Sequence, residues 1–219
     1  VDWMKSCEKG LWALILLLTA GLLYAVFFLV PPAEGLGNLV RIAFFHIPVA
    51  WVAVLAFLVS AWYALRYLRQ PAERFDAISA ASARLGLIFV VLATLSGAVF
   101  SKLTWGAYWN WDPRQTTIFV LLLIYAAYLT LRSVIADERR RARVSAIYAL
   151  FSFLTVPFLV FIIPRFYFSL HPAPVLNGSG SIDMDPVMLR VLLASLLDMT
   201  LIYIALLCHR VKSERGASS

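Results

Sequence analysis

The chain has 219 residues, of which 62% are hydrophobic and only 14% charged, with a mean hydropathy of +0.84. An ordinary soluble domain, whose apolar share is about half, is excluded, and the solvent is a bilayer. The net charge of +7 is accounted for by basic loops facing anionic lipid, so it requires no nucleic-acid partner.

Crossing the hydrocarbon core takes about 20 mostly apolar residues per helix. Six such runs occur, at approximately residues 10–30, 42–65, 79–100, 116–134, 144–164 and 187–208. The reading is an all-α polytopic membrane protein, a single domain over 1–219, because the connections are short and no internal repeat is visible. Orientation follows from the bias of Lys and Arg toward cytoplasmic loops. Lys5, Lys9, Arg66, Arg69, Arg74, Arg132, Arg139, Arg140, Arg141, Arg143, Arg210, Lys212 and Arg215 fall on one side; Arg41, Lys102, Arg114, Arg165 and Arg190 fall on the other. Both termini are therefore expected in the cytoplasm. Cys7 and Cys208 would lie on that reducing side, which disfavours a disulfide.

The first span, Gly10 to Val30, is uncharged, ends at Pro31-Pro32, and has no small-residue cleavage site, so it reads as a retained anchor. The second opens with Arg41-Ile-Ala-Phe-Phe-His46-Ile-Pro48. Pro48 cannot donate to the carbonyl of Phe44, which should loosen the turn carrying His46 near the outer interface. Singly, His46 suits an interfacial residue and Arg41 a snorkelling one.

After the third span comes an outer loop, 101–115, holding Trp105-Gly-Ala-Tyr-Trp-Asn-Trp-Asp-Pro-Arg-Gln-Thr116. Interfacial belts use scattered Trp and Tyr, but four rings in one loop point to a binding surface. Were 105–112 helical, Trp105, Tyr108, Trp109 and Asp112 would share one face and Trp111 would turn away. Asp112-Pro113 reads as a helix start, with Asp as the cap, Pro in the first position and Gln115 completing something close to a capping box; Asp185-Pro186 repeats it. Arg114, a cation at a positive helix end, implies an anionic neighbour, either Asp112 or a ligand.

The fourth and fifth spans join through Asp137-Glu-Arg-Arg-Arg-Ala-Arg143, a solvated turn. An outer histidine loop follows at 165–186, from Arg165-Phe-Tyr-Phe-Ser-Leu-His171-Pro to the flexible composition of Asn177-Gly-Ser-Gly-Ser181. His209 belongs to the inner basic tail. Asp198, near the middle of the sixth span, is costly at that depth; a helix contact through Thr200 or Tyr203 is the plainer reading, and a small-solute or ion transporter using Asp198 the bolder one. A structural assembly subunit with an aromatic belt is a third.

Topology brings His46, His171, the aromatic loop, Arg41, Arg114 and Arg165 to one face. Two imidazoles, flat aromatic walls and guanidinium groups suit a planar anionic cofactor with an axially open metal, which describes haem. Zinc would be short of ligands, and a quinone would not use two histidines. No CxxCH occurs, so the chain does not attach haem covalently through that motif.

The residues also carry a resemblance. Trp105-Gly-x-x-Trp109-x-Trp111-Asp112 resembles the tryptophan-rich WWD signature of haem-handling membrane proteins in cytochrome c maturation. Arg41-Ile-x-x-x-His46-Ile-Pro48 and Ser169-Leu-His171-Pro172 are similar to two further segments of the haem exporter protein C (CcmC) family, over essentially the whole chain. Tyr108 stands where that family's usual pattern has another tryptophan, and Pro113 is closer to the larger synthetase-type relatives. The resemblance implies non-covalent haem b with His46 and His171 as axial ligands, supported by Trp105, Tyr108, Trp109, Trp111, Asp112, Arg41 and Arg114. It implies delivery to a periplasmic haem chaperone (CcmE) with a small subunit (CcmD) and an ABC transporter pair (CcmA and CcmB), rather than classical catalysis, although a lyase-like role in attaching haem to the chaperone stays open. The expected location is the bacterial inner membrane, with the mitochondrial inner membrane as the alternative.

Overall fold

The computed structural model describes residues 2–171 and 184–216; the Asn177 to Ser181 segment and the side chain of Cys7 lie outside the described residues. Among these the secondary structure is helical, apart from an isolated bridge between Ala33 and Gly37. Helix α1, Asp2–Tyr24, runs on into a π-helical turn at Ala25–Leu29. A 3₁₀ turn, Asn38–Ile42, leads into α2, Ala43–Arg69, which passes through Pro48 without breaking. Then come α3, Glu73–Trp105, and α4, Pro113–Val134. Helix α5, Glu138–Pro157, widens into a π-helical turn at Phe158–Ile162 and ends in the short α6, Ile163–Phe166; Pro157 removes an amide donor where the turn widens. Helix α7, Pro186–Gly216, completes the chain.

Among the described residues six helical segments are long and apolar enough to cross a membrane, and the protein is a multi-pass, all-α membrane protein. An even number of crossings returns both chain ends to one side. The other end of the bundle gathers the connections 30–42 and 106–112 and the described residues 167–171 and 184–185, and is called the loop end below.

The most extensive pairing is α2 with α3, along a seam of small residues, Ala53, Ala56, Ala64, Ala83 and Ala93, all buried. Small side chains let helices approach closely where lipid provides no hydrophobic drive between them. Gly86 is one case: a Cβ there would stand 2.5 Å from Phe57 Cε1. The space it leaves admits Phe57, which stacks on Tyr125 with ring centroids 3.4 Å apart and an interplanar angle of 12°.

Toward the terminal end, polar groups answer one another. Arg132, in the last turn of α4, grips Asp76, in the first turn of α3, through two bonds of 2.7 and 2.5 Å, each charge also complementing its own helix dipole. The Ser79 hydroxyl donates to the Ser60 carbonyl at 2.9 Å, and Ser82 and Tyr203 share a 2.7 Å bond. Helix α1 is peripheral and packs on α7, with Val26 and Val30 against Val191 and Leu192.

Candidate ligand site at the loop end

The site begins where α3 stops. Gly106, left-handed at φ 84°, caps the helix, its N–H donating to the Lys102 carbonyl, as glycine does after a helix C-terminus. Residues 107–112 are therefore not helical, and the shared face expected of Trp105, Tyr108, Trp109 and Asp112 does not form. Instead the rings divide. Trp105 stays on α3, edge-on to Phe100 at 5.5 Å and to His171 at 5.0 Å between centroids. Trp109 packs edge-on against Trp111 and against Phe119 of α4. Tyr108 is exposed, with the Lys102 ammonium 5.7 Å from its ring.

The loop is held by its own side chains. Asn110 Nδ2 donates to Ser101 Oγ at 2.7 Å, and its backbone N–H donates to Gln115 Oε1 at 2.9 Å. Gln115 Nε2 reaches back to the Tyr108 carbonyl, so the glutamine grips the loop and does not close a capping box onto Asp112. Between these fixed points Trp111 has φ 56° and is 77% exposed. A bulky residue in the left-handed region is strained.

Asp112 is 4% exposed and does two things. Oδ1 accepts the Arg114 amide at 2.8 Å, the expected cap of α4. The same carboxylate reaches the histidine loop, where Oδ2 accepts from the Leu170 amide at 2.7 Å and the Ser169 hydroxyl at 2.9 Å, while Oδ1 lies 3.0 Å from His171 Nδ1. A carboxylate only accepts, so His171 Nδ1 carries the hydrogen and Nε2 keeps the lone pair. Burial alone would raise the Asp112 carboxyl, but the two amides and the Ser169 hydroxyl overcome it and hold the group below its ordinary range. Burial likewise lowers His171, against the opposing pull of Asp112, which favours the neutral imidazole.

His46 is served by α3. Its Nδ1 lies 2.9 Å from Ser96 Oγ, and that hydroxyl donates to the Leu92 carbonyl at 2.8 Å. When the Ser96 proton goes to the Leu92 carbonyl, the hydroxyl accepts from His46 Nδ1–H, and in that tautomer Nε2 keeps the lone pair. Gly97 makes room for the ring: a Cβ there would stand 3.1 Å from His46 Cε1.

The charges converge too. His46 lies within electrostatic range of His171 and Arg114, as His171 does of Arg114 and Arg114 of Arg165. Arg114 contributes its amide to Asp112, not its guanidinium. Arg41 lies with its guanidinium 5.9 Å from the Phe27 ring centroid, and its Nε is buried without a hydrogen-bond partner among the described residues. No group of three or more His, Cys, Asp or Glu is placed to hold a metal ion among the described residues. Sequence reasoning passes over Ser96, Gly97, Ser101, Asn110 and Ser169, which read as packing or loop residues until their partners are known.

Asp198 lies apart. It is 4% exposed and accepts from Thr19 of α1 at 2.9 Å. Neither expected partner is used: Thr200 bonds its own helix at the Leu196 carbonyl, and Tyr203 bonds Ser82.

Comparison with known proteins follows from this geometry. The family described as Heme exporter protein C matches residues 2–217. The chain belongs to this family. The Heme exporter protein C of Bradyrhizobium diazoefficiens is 30% identical over 92% of this chain and 76% of its own length. A ccmC-like mitochondrial protein of cytochrome c biosynthesis from Marchantia polymorpha is 26% identical over 75% of this chain and 69% of its own. The cytochrome c biogenesis protein CcsA of Spinacia oleracea is 40% identical, over only 41% of this chain and 27% of its own length. Heme exporter protein C relatives thus align along nearly the whole bundle, and CcsA along a part of it.

Proposed function

We propose that the protein binds haem at the loop end, on the periplasmic side of a bacterial inner membrane, and delivers it to a periplasmic haem chaperone (CcmE) during cytochrome c maturation. The carrying observation is that two imidazoles, one from α2 and one from the histidine loop, each with Nδ1 already bonded, share one end of the bundle with Trp105 and Trp109. Haem fills four iron positions itself and asks the protein for two nitrogens. The residues fit that demand, because His46 and His171 each offer an Nε2 lone pair as an axial ligand. Arg41 supplies what a propionate would satisfy, a buried guanidinium nitrogen without a partner among the described residues. Arg114 and Arg165 add positive charge nearby, and Trp105, edge-on to His171, supplies an apolar wall. Haem is cargo here, and CcmD and the CcmA/CcmB pair are the partners the family implies. The same residues in a mitochondrial inner membrane would face the corresponding outer compartment, as for the mitochondrial relative.

The orientation, with both termini in the cytoplasm, is supported by the thirteen basic residues on that side. Asp198 serves a helix contact through Oδ2, which accepts from Thr19, although its Oδ1 is buried without a hydrogen-bond partner among the described residues; with no second ionisable side chain bonded to it there, transport through Asp198 is the less favoured reading.

The test is direct. The full chain, purified in mild detergent with haem supplied during expression, should show a Soret band, lost on replacing His46 and His171 together but kept in His209→Ala and Asp198→Asn. Mixed with the purified chaperone, it should yield haem that stays on the chaperone through a denaturing gel. A wild-type protein with no Soret band overturns the reading.

A further inference from the structure

Resting on that haem reading, we infer that the two histidines are unequal by construction: Asp112 makes His171 the ligand that retains the iron, and Ser96 leaves His46 the ligand that is exchanged when haem departs.

The inequality lies in what each Nδ1–H meets. His171 donates to a carboxylate at 3.0 Å. A charge-assisted bond of this kind is roughly twice as strong as a neutral one, and it draws the imidazole toward imidazolate, making Nε2 a better donor to a metal. The carboxylate is itself immobile, fixed by the Arg114 and Leu170 amides and the Ser169 hydroxyl. The Leu170 amide and the Ser169 hydroxyl belong to the loop that carries His171, so ring, loop and the start of α4 form one unit. Trp105 closes one side of the ring.

His46 has a weaker arrangement. It meets a neutral hydroxyl already donating along its own helix and the Ala93 backbone carbonyl, neither of which carries the formal charge that Asp112 brings to His171. Its ring also depends on the close approach to Gly97, where a Cβ would stand 3.1 Å from Cε1. Exchange is balanced as a ligand substitution. The Fe–Nε2 bond to His46 breaks, a bond forms to the lone pair of the incoming base, and neither electrons nor protons are gained or lost by the iron. A haem held through His171 alone presents an open position on the His46 side.

Cyanide provides the probe, because it binds ferric haem by replacing one axial nitrogen. With the full haem-loaded chain in detergent, haem affinity and the rate of cyanide entry are measured on the same samples. Asp112→Asn keeps a good helix cap while removing the charge; it is expected to weaken haem binding about 10–100-fold, the range seen for groups behind a metal ligand. Ser96→Ala and Gly97→Ala are expected to show their larger effect on exchange, with cyanide entering several-fold faster and affinity falling much less. If Asp112→Asn reduces the helical signal, Ser169→Ala, which frees the same carboxylate by one bond, takes its place. Two results overturn the inference: cyanide entry accelerated more by Asp112→Asn than by Ser96→Ala, or equal losses of affinity from the two. Both of these leave haem binding intact and so spare the reading it rests on, whereas a wild-type chain with no haem spectrum removes both.

Discussion

The two ends of this bundle use polar residues differently. Toward the terminal end, charges and hydroxyls close on one another: Arg132 on Asp76, Ser79 on Ser60, Ser82 on Tyr203. Two hydroxyls nearby, of Tyr125 and Ser145, have no hydrogen-bond partner among the described residues but are neutral. At the loop end three groups are held on one side and left open on the other: two imidazoles tied at Nδ1, and the Arg41 guanidinium, whose buried Nε has no partner among the described residues. Leaving such valence unused costs free energy. The difference teaches that the first region holds the helices together, while the second keeps the open valences on which the proposed haem site rests.

That contrast can be broken from either side. Replacing His46 and His171 together should lower haem affinity by about 100-fold or more, since changes behind a metal ligand alone reach roughly that value, while the haem-free protein loses only the two Nδ1 bonds, about 1–3 kcal/mol. Arg132→Ala should do the reverse. Stranding Asp76 without its partner is expected to cost about 3 kcal/mol, read as a lowered unfolding midpoint, with haem affinity of the folded fraction preserved. Smaller is Thr19→Val, which leaves the buried Asp198 carboxylate without a donor at a cost of about 1–3 kcal/mol, seen as earlier proteolysis of α1. At the loop end Trp111→Gly should raise stability by about 1 kcal/mol by relieving the left-handed backbone, and should slow delivery to the chaperone without removing the Soret band.

The smallest effect is that of pH. His171 lies below its ordinary value in the folded protein, so its contribution is fully present above the unfolded value of about 6.5 and declines as pH falls below it toward the folded value. Melts of the haem-free protein at pH 7.5 and 5.5 should differ more for the wild type than for His171→Asn.

Much of the architecture is legible because its causes are local. Six apolar runs need only composition, and the caps at Asp112-Pro113 and Asp185-Pro186 need only neighbouring residues; both form, Asp185 accepting the Val187 amide at 2.7 Å. His46 and His171 are within reach through topology, which sorts loops by side. The arrangement of the aromatic loop is not. Helical spacing carried past Trp105 puts four groups on one face, yet Gly106 ends the helix, and that glycine after a basic last turn was the available stop signal. Ser96 and Ser169 resemble many other serines in apolar or loop sequence, and only the tertiary approach of a ring nitrogen distinguishes them. Asp112 is the instructive case: a cap and a clamp on His171 use the same carboxylate, and adjacency in sequence shows only the first.

The bond between Thr19 and Asp198 spans 179 residues, from the first crossing to the last. Because synthesis runs in that order, α1 enters the bilayer with its hydroxyl waiting, and the carboxylate that needs it emerges only with α7. Packing of α1 therefore waits for α7. Removing α7 would take away both the acid and the face on which α1 rests.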